Sequence, residues 1–140
     1  MDDTVQLTGL TTLEDAVRAN EQVTAFLDER AVSPETTGAV ALAVEELLTN
    51  SIKYGGKDGR VPHVRLDLAV TAQGVVLSLA DDGLEFNPLE APHPDLNCRL
   101  EDRPIGGLGL HLVRTLASSI GYQRKDGWNI VTVVFGPRNT

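Results

Sequence analysis

The sequence predicts an α/β protein of the α+β two-layer type, with helices and short strands contributed by separate stretches of chain. Apolar residues recur with the helical period in several segments, and they alternate with polar residues in several short runs. Two runs are separated by Ala72-Gln73-Gly74 and two others by Asp126-Gly127, and both connections are short enough for hairpins. With 140 residues and 41% hydrophobic content, we expect residues 1–140 to form one domain around one core.

Local signals place the elements along the chain. The clearest is a helix over 34–54, because Ser33 is a good N-cap, Pro34 suits the first helical position and Glu35 puts a carboxylate in the first turn. The two glycines after Tyr54 end it. The other predicted elements are a strand over 4–8, a helix from Leu13 capped by Thr11 or Thr12, strands over 64–71 and 75–79, a helix over 110–120 ended by Gly121, and strands over 122–125 and 130–135.

The composition argues against several classes of function. The chain has 20 acidic residues against 12 Lys and Arg, a formal charge of −8, so counterion release would contribute little and we expect no direct nucleic-acid binding. The chain does not start with a basic and then apolar leader, and no run approaches the roughly 18 apolar residues of a membrane span, so we expect a cytoplasmic protein without a membrane. The single cysteine, Cys98, excludes an internal disulfide and a Cys-based zinc site.

A polar column on the second helix is the first candidate for chemistry. Glu46, Asn50 and Lys53 stand at i, i+4 and i+7, so their side chains stack on one helix face. A carboxylate, an amide and an amine in that arrangement could hold a metal and a phosphate. A solvated stripe has the same pattern, because Glu45 and Thr49 widen the polar side of the helix. The helix alone leaves both interpretations open.

A long loop and a glycine cluster follow the third strand. The loop over about 84–105 is unusually long for a compact domain, and loops of that length are lids, binding loops or disordered segments. It leads into Gly106-Gly107-Leu108-Gly109-Leu110, which opens a helix. Backbone amides there can converge on an anion, and the helix dipole adds to the attraction. The cluster is neither a dinucleotide-binding fingerprint, since no strand precedes it, nor a P-loop, since Gly-Lys-Ser/Thr is missing.

In their order and spacing these pieces resemble the GHKL ATP-binding fold, also called the Bergerat fold, in the compact form of the anti-sigma-factor serine/threonine kinases of the RsbW and SpoIIAB type. The segment 46–50 is similar to the N box of that family, 81–83 with 86–88 to its first glycine box, and 106–110 to its second. The resemblance implies a mixed, mostly antiparallel sheet of about four to five strands, covered on one face by three helices. It also implies an ATP lid over about 84–105.

The resemblance implies a role for each matching residue. Glu46 would be the general base, Asn50 the Mg²⁺ ligand, and Lys53 a charge near the phosphates. Asp81 would accept a hydrogen bond from the adenine amine, and Gly83 would let the backbone approach the base. The complete set implied to contact ATP is Asn50, Lys53, Asp81, Gly83, Gly106, Gly107, Leu108, Gly109, Leu110 and Thr132.

The function implied by the resemblance is an ATP-dependent protein serine/threonine kinase in a partner-switching pathway. Such a kinase holds a sigma factor or an equivalent regulator inactive, and with Mg-ATP it phosphorylates a small anti-sigma factor antagonist of the STAS type; a homodimer is also implied. A non-catalytic, ATP-responsive binding module is the alternative. Two departures favour it: Glu85 stands where many members have a second glycine, and the second glycine box lacks its initial glycine.

Overall fold

The computed structural model describes residues 3–54, 56, 60–90 and 107–136, and for 54, 90, 107 and 108 it describes the backbone alone. The elements in chain order are β1 (Asp3–Leu7), α1 (Leu13–Glu29), α2 (Pro34–Tyr54), β2 (Val64–Thr71), β3 (Gly74–Asp81), a short 3₁₀ turn (Pro88–Glu90), α3 (Gly107–Leu116), β4 (Ser119–Lys125) and β5 (Trp128–Phe135). The strands form one 5-stranded sheet in the order β1-β2-β3-β5-β4.

The helices form a layer on one face of this sheet. Helix α2 is central: it contacts β2, β3 and β5, and α1 and α3 each pack against it. Its buried side chains include Val40, Val44 and Leu48, which meet the core-facing positions of the strands, such as Leu66 and Leu77. The predicted α+β sandwich is therefore confirmed. Each strand pairing in the described chain is antiparallel, so the sheet is not mixed.

The two long helices begin where their capping signals predict. Thr12 caps α1 through a capping box, in which the N–H of Asp15 donates to Thr12 Oγ1 at 3.1 Å and the Thr12 N–H donates to Asp15 Oδ2 at 3.1 Å. Hydrogen bonds from the N–H groups of Thr11 and Thr12 hold the pKa of Asp15 well below its usual range. At the start of α2, Ser33 Oγ accepts from the N–H of Thr36 at 3.2 Å.

The third helix ends earlier than the sequence predicts. Helix α3 stops at Leu116, and Gly121, predicted to end it, lies within β4. Ile120 pairs with Val133 of β5 and packs against the core as a strand residue. A short apolar run fits both periods, so its spacing alone could not separate the end of a helix from the start of a strand.

The hairpin turns use the residues that the sequence marks. Asp126 and Gly127 have φ angles of 53° and 84°, and the flanking Lys125 and Trp128 pair with each other, as in a two-residue hairpin loop. Gly74 opens β3 with φ 122°, and a β-carbon there would collide with the backbone of β5. Among the described residues, no helix combines the length and the apolar character needed to cross a membrane.

We expect Leu48→Ala to lower the free energy of unfolding by about 2–5 kcal/mol, because Leu48 is fully buried between α2 and the sheet and its truncation leaves a cavity. Urea denaturation followed by circular dichroism measures the change. Val61→Ala is the control, because Val61 is 54% exposed in the segment before β2, and it should change stability by less than about 0.5 kcal/mol. Equal losses from both variants would contradict this packing.

Candidate functional site

A pocket lies between α2, the ends of β3 and β5, and the segment 84–88. About 400 Å³ of space lies along these walls when the adjoining open solvent is included, and the polar lining residues are Asn50, Ser51, Asp81 and Asn129. The rest of its lining is apolar: Leu47, Leu79, Leu84, Phe86, Pro88 and Val131. Mostly apolar walls with a few convergent polar groups are typical of small-molecule sites.

The Asp81 carboxylate is the most constrained polar group of the pocket. It ends β3 and is only 7% exposed. Its Oδ2 accepts from Ser51 Oγ at 2.9 Å, and its Oδ1 accepts from the Gly83 N–H at 3.0 Å and from Asn129 Nδ2 at 3.0 Å. These three hydrogen bonds compensate for the burial of the carboxylate and fix its orientation.

Asn129 connects Asp81 to the segment that follows β3. It lies in β5, is 3% exposed, and donates from Nδ2 to the Leu84 carbonyl at 2.7 Å as well as to Asp81. Its Oδ1 accepts from the Phe86 N–H at 3.1 Å and from the Tyr122 hydroxyl at 2.6 Å. The amide therefore holds one wall of the pocket, formed by Leu84 and Phe86, against the sheet.

The Glu46 carboxyl lies against the first turn of α3. A β-carbon at Gly109 would collide with it, so this close approach requires glycine. Within the described chain, Glu46 Oε2 is buried and has no hydrogen-bond partner. Burial raises the pKa of Glu46, the neighbouring Glu45 raises it further, and Lys53 lowers it. Glu46 thus combines an unpartnered oxygen with a raised proton affinity.

The N-terminus of α3 offers backbone donors beside Glu46. Helix α3 begins at Gly107, and the first four N–H groups of a helix, here those of 107–110, have no acceptor inside it. They lie at the positive end of the helix dipole, an arrangement that attracts phosphate groups. The Leu110 side chain is buried in the core, so only its backbone is available. Gly106 and the side chain of Leu108 lie outside the described residues.

Comparison with known families agrees with this geometry. A model of the histidine kinase-like ATPase domain matches residues 10–135. The chain belongs to the histidine kinase-like ATPase family. The match extends from the residues before α1 to the end of β5, so it includes the pocket, Glu46 and the start of α3. The resemblance to the GHKL fold is confirmed, and ATP is the ligand expected of such a domain.

Three curated relatives carry kinase names. The serine/threonine-protein kinase BtrW of Bordetella bronchiseptica is 35% identical over 94 residues, which cover 67% of this chain and 66% of BtrW. The serine-protein kinases RsbW of Listeria monocytogenes and Listeria innocua are 27% and 30% identical over 103 and 108 residues, in each case 71% of this chain and 66% of the relative. The chain thus spans just under two thirds of the length of the relatives it matches.

Two predicted site residues of this histidine kinase-like ATPase domain lie away from the pocket. Lys53 is exposed and lines a separate groove between α1 and α2, together with Glu45 and Thr49. Thr132 pairs with Ser78 of β3, and the alternation of β5 puts it on the sheet face opposite the pocket-lining residues of that strand. Of the other described members of the predicted set, Asn50 and Asp81 line the pocket and Gly83 donates to Asp81. Glu46 lies one turn before Asn50 and against the first turn of α3, whose backbone begins at Gly107.

Sequence reasoning missed Ser51, Asn129 and Tyr122, which hold Asp81 and the adjacent wall of the pocket. A signal for Asn129 was present. In β5 the alternate positions 129, 131, 133 and 135 are all buried, and Asn129 is the one polar side chain among them. A polar residue in a core-facing alternation predicts a hydrogen-bonded group inside the fold. Ser51 follows Asn50 directly and carried no comparable signal.

Asp82, which follows the pocket carboxylate Asp81, forms a surface cluster of polar contacts with Arg60 and His63. Its Oδ2 lies 2.8 Å from Arg60 Nη2 and 2.8 Å from His63 Nδ1, and its Oδ1 accepts from the His63 N–H at 2.7 Å. Burial raises the pKa of Asp82, but the hydrogen bonds from His63 and Arg60 outweigh that effect, so the pKa is lowered. These contacts of Arg60 and His63 with Asp82 join the segment before β2 to the end of β3.

The site offers few oxygen donors, which suits Mg²⁺ better than a metal ion that requires four or more protein ligands. Within the described ranges, no three or more His, Cys, Asp or Glu side chains are grouped so that they could hold a metal ion. The donors available are the Asn50 amide, which lines the pocket, and the unpartnered Oε2 of Glu46. Mg²⁺ keeps several waters and typically takes one or two protein ligands together with substrate phosphates. A magnesium ion that binds with a nucleotide suits this sparse set.

We expect Glu46→Gln to stabilise the fold at neutral pH. A carboxyl whose pKa is raised in the folded state destabilises that state when it ionises, so the cost appears as the pH rises above the usual value of 4.5 and disappears below it. The Tm of the variant should therefore exceed that of the wild type at pH 8, and the difference should shrink towards pH 4.

Glu35→Gln is the control, because Glu35 is exposed in the first turn of the same helix, where the helix dipole favours a negative charge, so this variant should gain no stability at pH 8. A Tm difference for Glu46→Gln that is the same at pH 8 and pH 4 would contradict the burial of the charge.

Proposed function

We propose that this chain is an ATP-dependent protein serine/threonine kinase of a partner-switching pathway. It binds Mg-ATP, phosphorylates a small STAS-type anti-sigma factor antagonist, and holds a sigma factor or an equivalent regulator inactive. The observation that carries the proposal is the Glu46 carboxyl, which has an unpartnered oxygen and a raised pKa beside a helix N-terminus suited to phosphate. The kinase names of three relatives support the same reaction class.

In this proposal the adenine base occupies the pocket and the phosphates extend towards α3. The Asp81 carboxylate accepts a hydrogen bond from the exocyclic amine of the base, between apolar walls such as Leu79 and Val131. The amides of 107–110 receive the phosphates at the helix N-terminus. Glu46 and Asn50 are one turn apart on α2, so a ligand that runs along this helix face meets both.

Glu46 acts as the general base. Its Oε2 takes the proton of the attacking serine or threonine hydroxyl while the bond from that oxygen to the γ-phosphorus forms and the bond to the leaving ADP oxygen breaks. A raised pKa makes the carboxylate a stronger acceptor for this proton. Asn50 holds the Mg²⁺ ion, which neutralises charge on the phosphate oxygens when it is bound. Lys53, which lies in the groove between α1 and α2, adds positive charge at longer range.

The partners of this kinase are proteins. The formal charge of −8 disfavours direct contact with nucleic acid, and no membrane is required for the reaction. A homodimer in the cytoplasm is part of the proposal. Leu13 and Val17 on α1 are 49% and 60% exposed, and a second copy of the chain would remove this apolar surface from water.

The alternative is a non-catalytic module that responds to ATP. One of its two supports is Glu85, which is exposed and does not line the pocket, whereas its neighbours Leu84 and Phe86 do. The altered second glycine box begins with Ile105 and Gly106, which lie outside the described residues. A phosphotransfer assay separates the kinase from the module.

We expect Glu46→Gln to lower the rate of phosphotransfer by about 10²–10⁴-fold, because the hydroxyl loses its general base. The assay follows transfer from γ-labelled ATP to a serine or threonine of the antagonist. ATP affinity, measured by calorimetry, should change by less than about threefold, because Glu46 acts on the attacking group. Glu35→Gln, which removes an exposed carboxylate in the first turn of the same helix, should transfer at the wild-type rate. Full activity of Glu46→Gln would sink the assignment of the base.

Replacing Asn50 by Ala should remove the part of ATP binding that depends on Mg²⁺, because the metal loses its protein ligand. Calorimetric titration of ATP with magnesium and with EDTA measures this part as the ratio of the two dissociation constants. The ratio should approach one in the variant. Thr49→Ala is the control, because Thr49 is the neighbouring residue and faces the groove between α1 and α2. An unchanged ratio in Asn50→Ala would remove Asn50 from the metal site.

A further inference from the structure

The Asn129 amide can take only one orientation. Its two donor hydrogens bond Asp81 Oδ1 and the Leu84 carbonyl, and its oxygen accepts from the Phe86 N–H and the Tyr122 hydroxyl. A backbone carbonyl can only accept and a backbone N–H can only donate, so a flipped amide would lose both bonds to the segment 84–86. The whole hydrogen-bonding capacity of the amide is therefore used, at a position that is 3% exposed.

This orientation decides which part of the Asp81 carboxylate is left for a ligand. Each oxygen of an ionised carboxylate accepts about two hydrogen bonds. Oδ1 is fully used, because it accepts from both Gly83 N and Asn129 Nδ2. Among the residues that the structure describes, Oδ2 accepts from Ser51 Oγ alone, so one acceptor position remains at the pocket that Asp81 lines. A ligand in the pocket thus meets one fixed acceptor, Asp81 Oδ2, and the Asp81 side chain offers it no donor.

We propose that Asn129 is a positioning residue that sets the base selectivity of this nucleotide site, because it fixes the Asp81 carboxylate with one free acceptor. The inference rests on the proposed binding of ATP in this pocket. A fixed acceptor favours a base with an exocyclic amine at that point, and it repels one with a carbonyl oxygen there, since both groups are then acceptors. Asn129 also bonds Leu84 and Phe86, so the same amide couples the carboxylate to the wall that covers the base.

The test is the ratio of the dissociation constants of purine riboside triphosphate and ATP, measured by calorimetry with Mg²⁺. The two nucleotides have the same ring nitrogens in the base, and only ATP carries the exocyclic amine. The wild-type chain should prefer ATP. In Asn129→Leu, which has a similar size and no polar group, the Asp81 carboxylate can rotate. Loss of the bonds to Leu84 and Phe86 should weaken both nucleotides alike, whereas loss of the fixed acceptor should weaken ATP alone, so the ratio should fall about fivefold to tenfold.

Two further variants complete the experiment. Tyr122→Phe removes one hydrogen bond to the Asn129 oxygen, so it should lower the ratio in the same direction by a smaller factor, about twofold to threefold. Ile130→Val is the matched control, because this neighbour of Asn129 faces the other side of the sheet, and it should leave the ratio unchanged. If circular dichroism shows that Asn129→Leu does not fold, the ratio of Tyr122→Phe decides.

The outcomes separate the two proposals. A ratio that falls in Asn129→Leu, or in Tyr122→Phe where the first variant is unfolded, supports the positioning role. Equal weakening of both nucleotides, which leaves the ratio at its wild-type value, overturns that role and leaves Asn129 as a purely structural residue. A wild-type chain that binds no ATP overturns the proposed function, and with it the basis of the inference.

Discussion

The packing of α2 against the sheet is the contact on which the rest of the structure depends. Val40, Val44 and Leu48 have no measurable exposure, and α2 contacts three of the five strands as well as both other helices. Such packing fixes the rotation of the helix about its axis, because any turn would expose apolar surface at roughly 25 cal/mol per Å². The polar residues of α2 therefore have fixed directions: Asn50 and Ser51 line the pocket.

The two carboxyl groups at the site show how burial produces different chemistry. Asp81 is almost fully buried, and three hydrogen bonds hold it, so its charge is compensated and its position is fixed. Glu46 is partly buried and keeps one oxygen without a partner, so desolvation raises its pKa. The first arrangement suits recognition of a donor on a ligand. The second suits the transfer of a proton.

The sequence predicted the parts of this fold that local chemistry determines. The start of α2 follows from Ser33 and Pro34, and the turn at Asp126-Gly127 follows from the positive φ angles that these residues tolerate. The end of α3 was not predictable from spacing, because Ile120 belongs to β4 only through its pairing with β5. Local periodicity does not contain such pairings, which join positions far apart in the chain.

Strand pairing also decides how the predicted site residues lie relative to one another. The residues that match short motifs meet in space, whereas Thr132 lies on the opposite sheet face from Asn129, a difference of one position in β5. Because side chains alternate along a strand, an error of an odd number of residues reverses the face. Asn129, the buried partner of Asp81, could be found only from the structure or from the alternate buried positions of β5, which run from Asn129 to Phe135.

The polar column of α2, formed by Glu46, Asn50 and Lys53, does not face a single environment, because different elements pack beside its residues. At about 100° per residue, Lys53 lies about 60° around the helix axis from Asn50, and this angle separates two environments. Lys53 shares the α1 groove with Glu45 and Thr49, whereas Asn50 shares the pocket with Ser51. Glu46 lies between these two sides, and there Gly109 lets the first turn of α3 approach its carboxyl. The spacing i, i+4, i+7 identified a common face, but the neighbouring helices decide which of its residues can meet one ligand. Glu46 therefore lies against the turn of α3 whose N-terminus attracts phosphate, whereas Lys53 lies in the α1 groove.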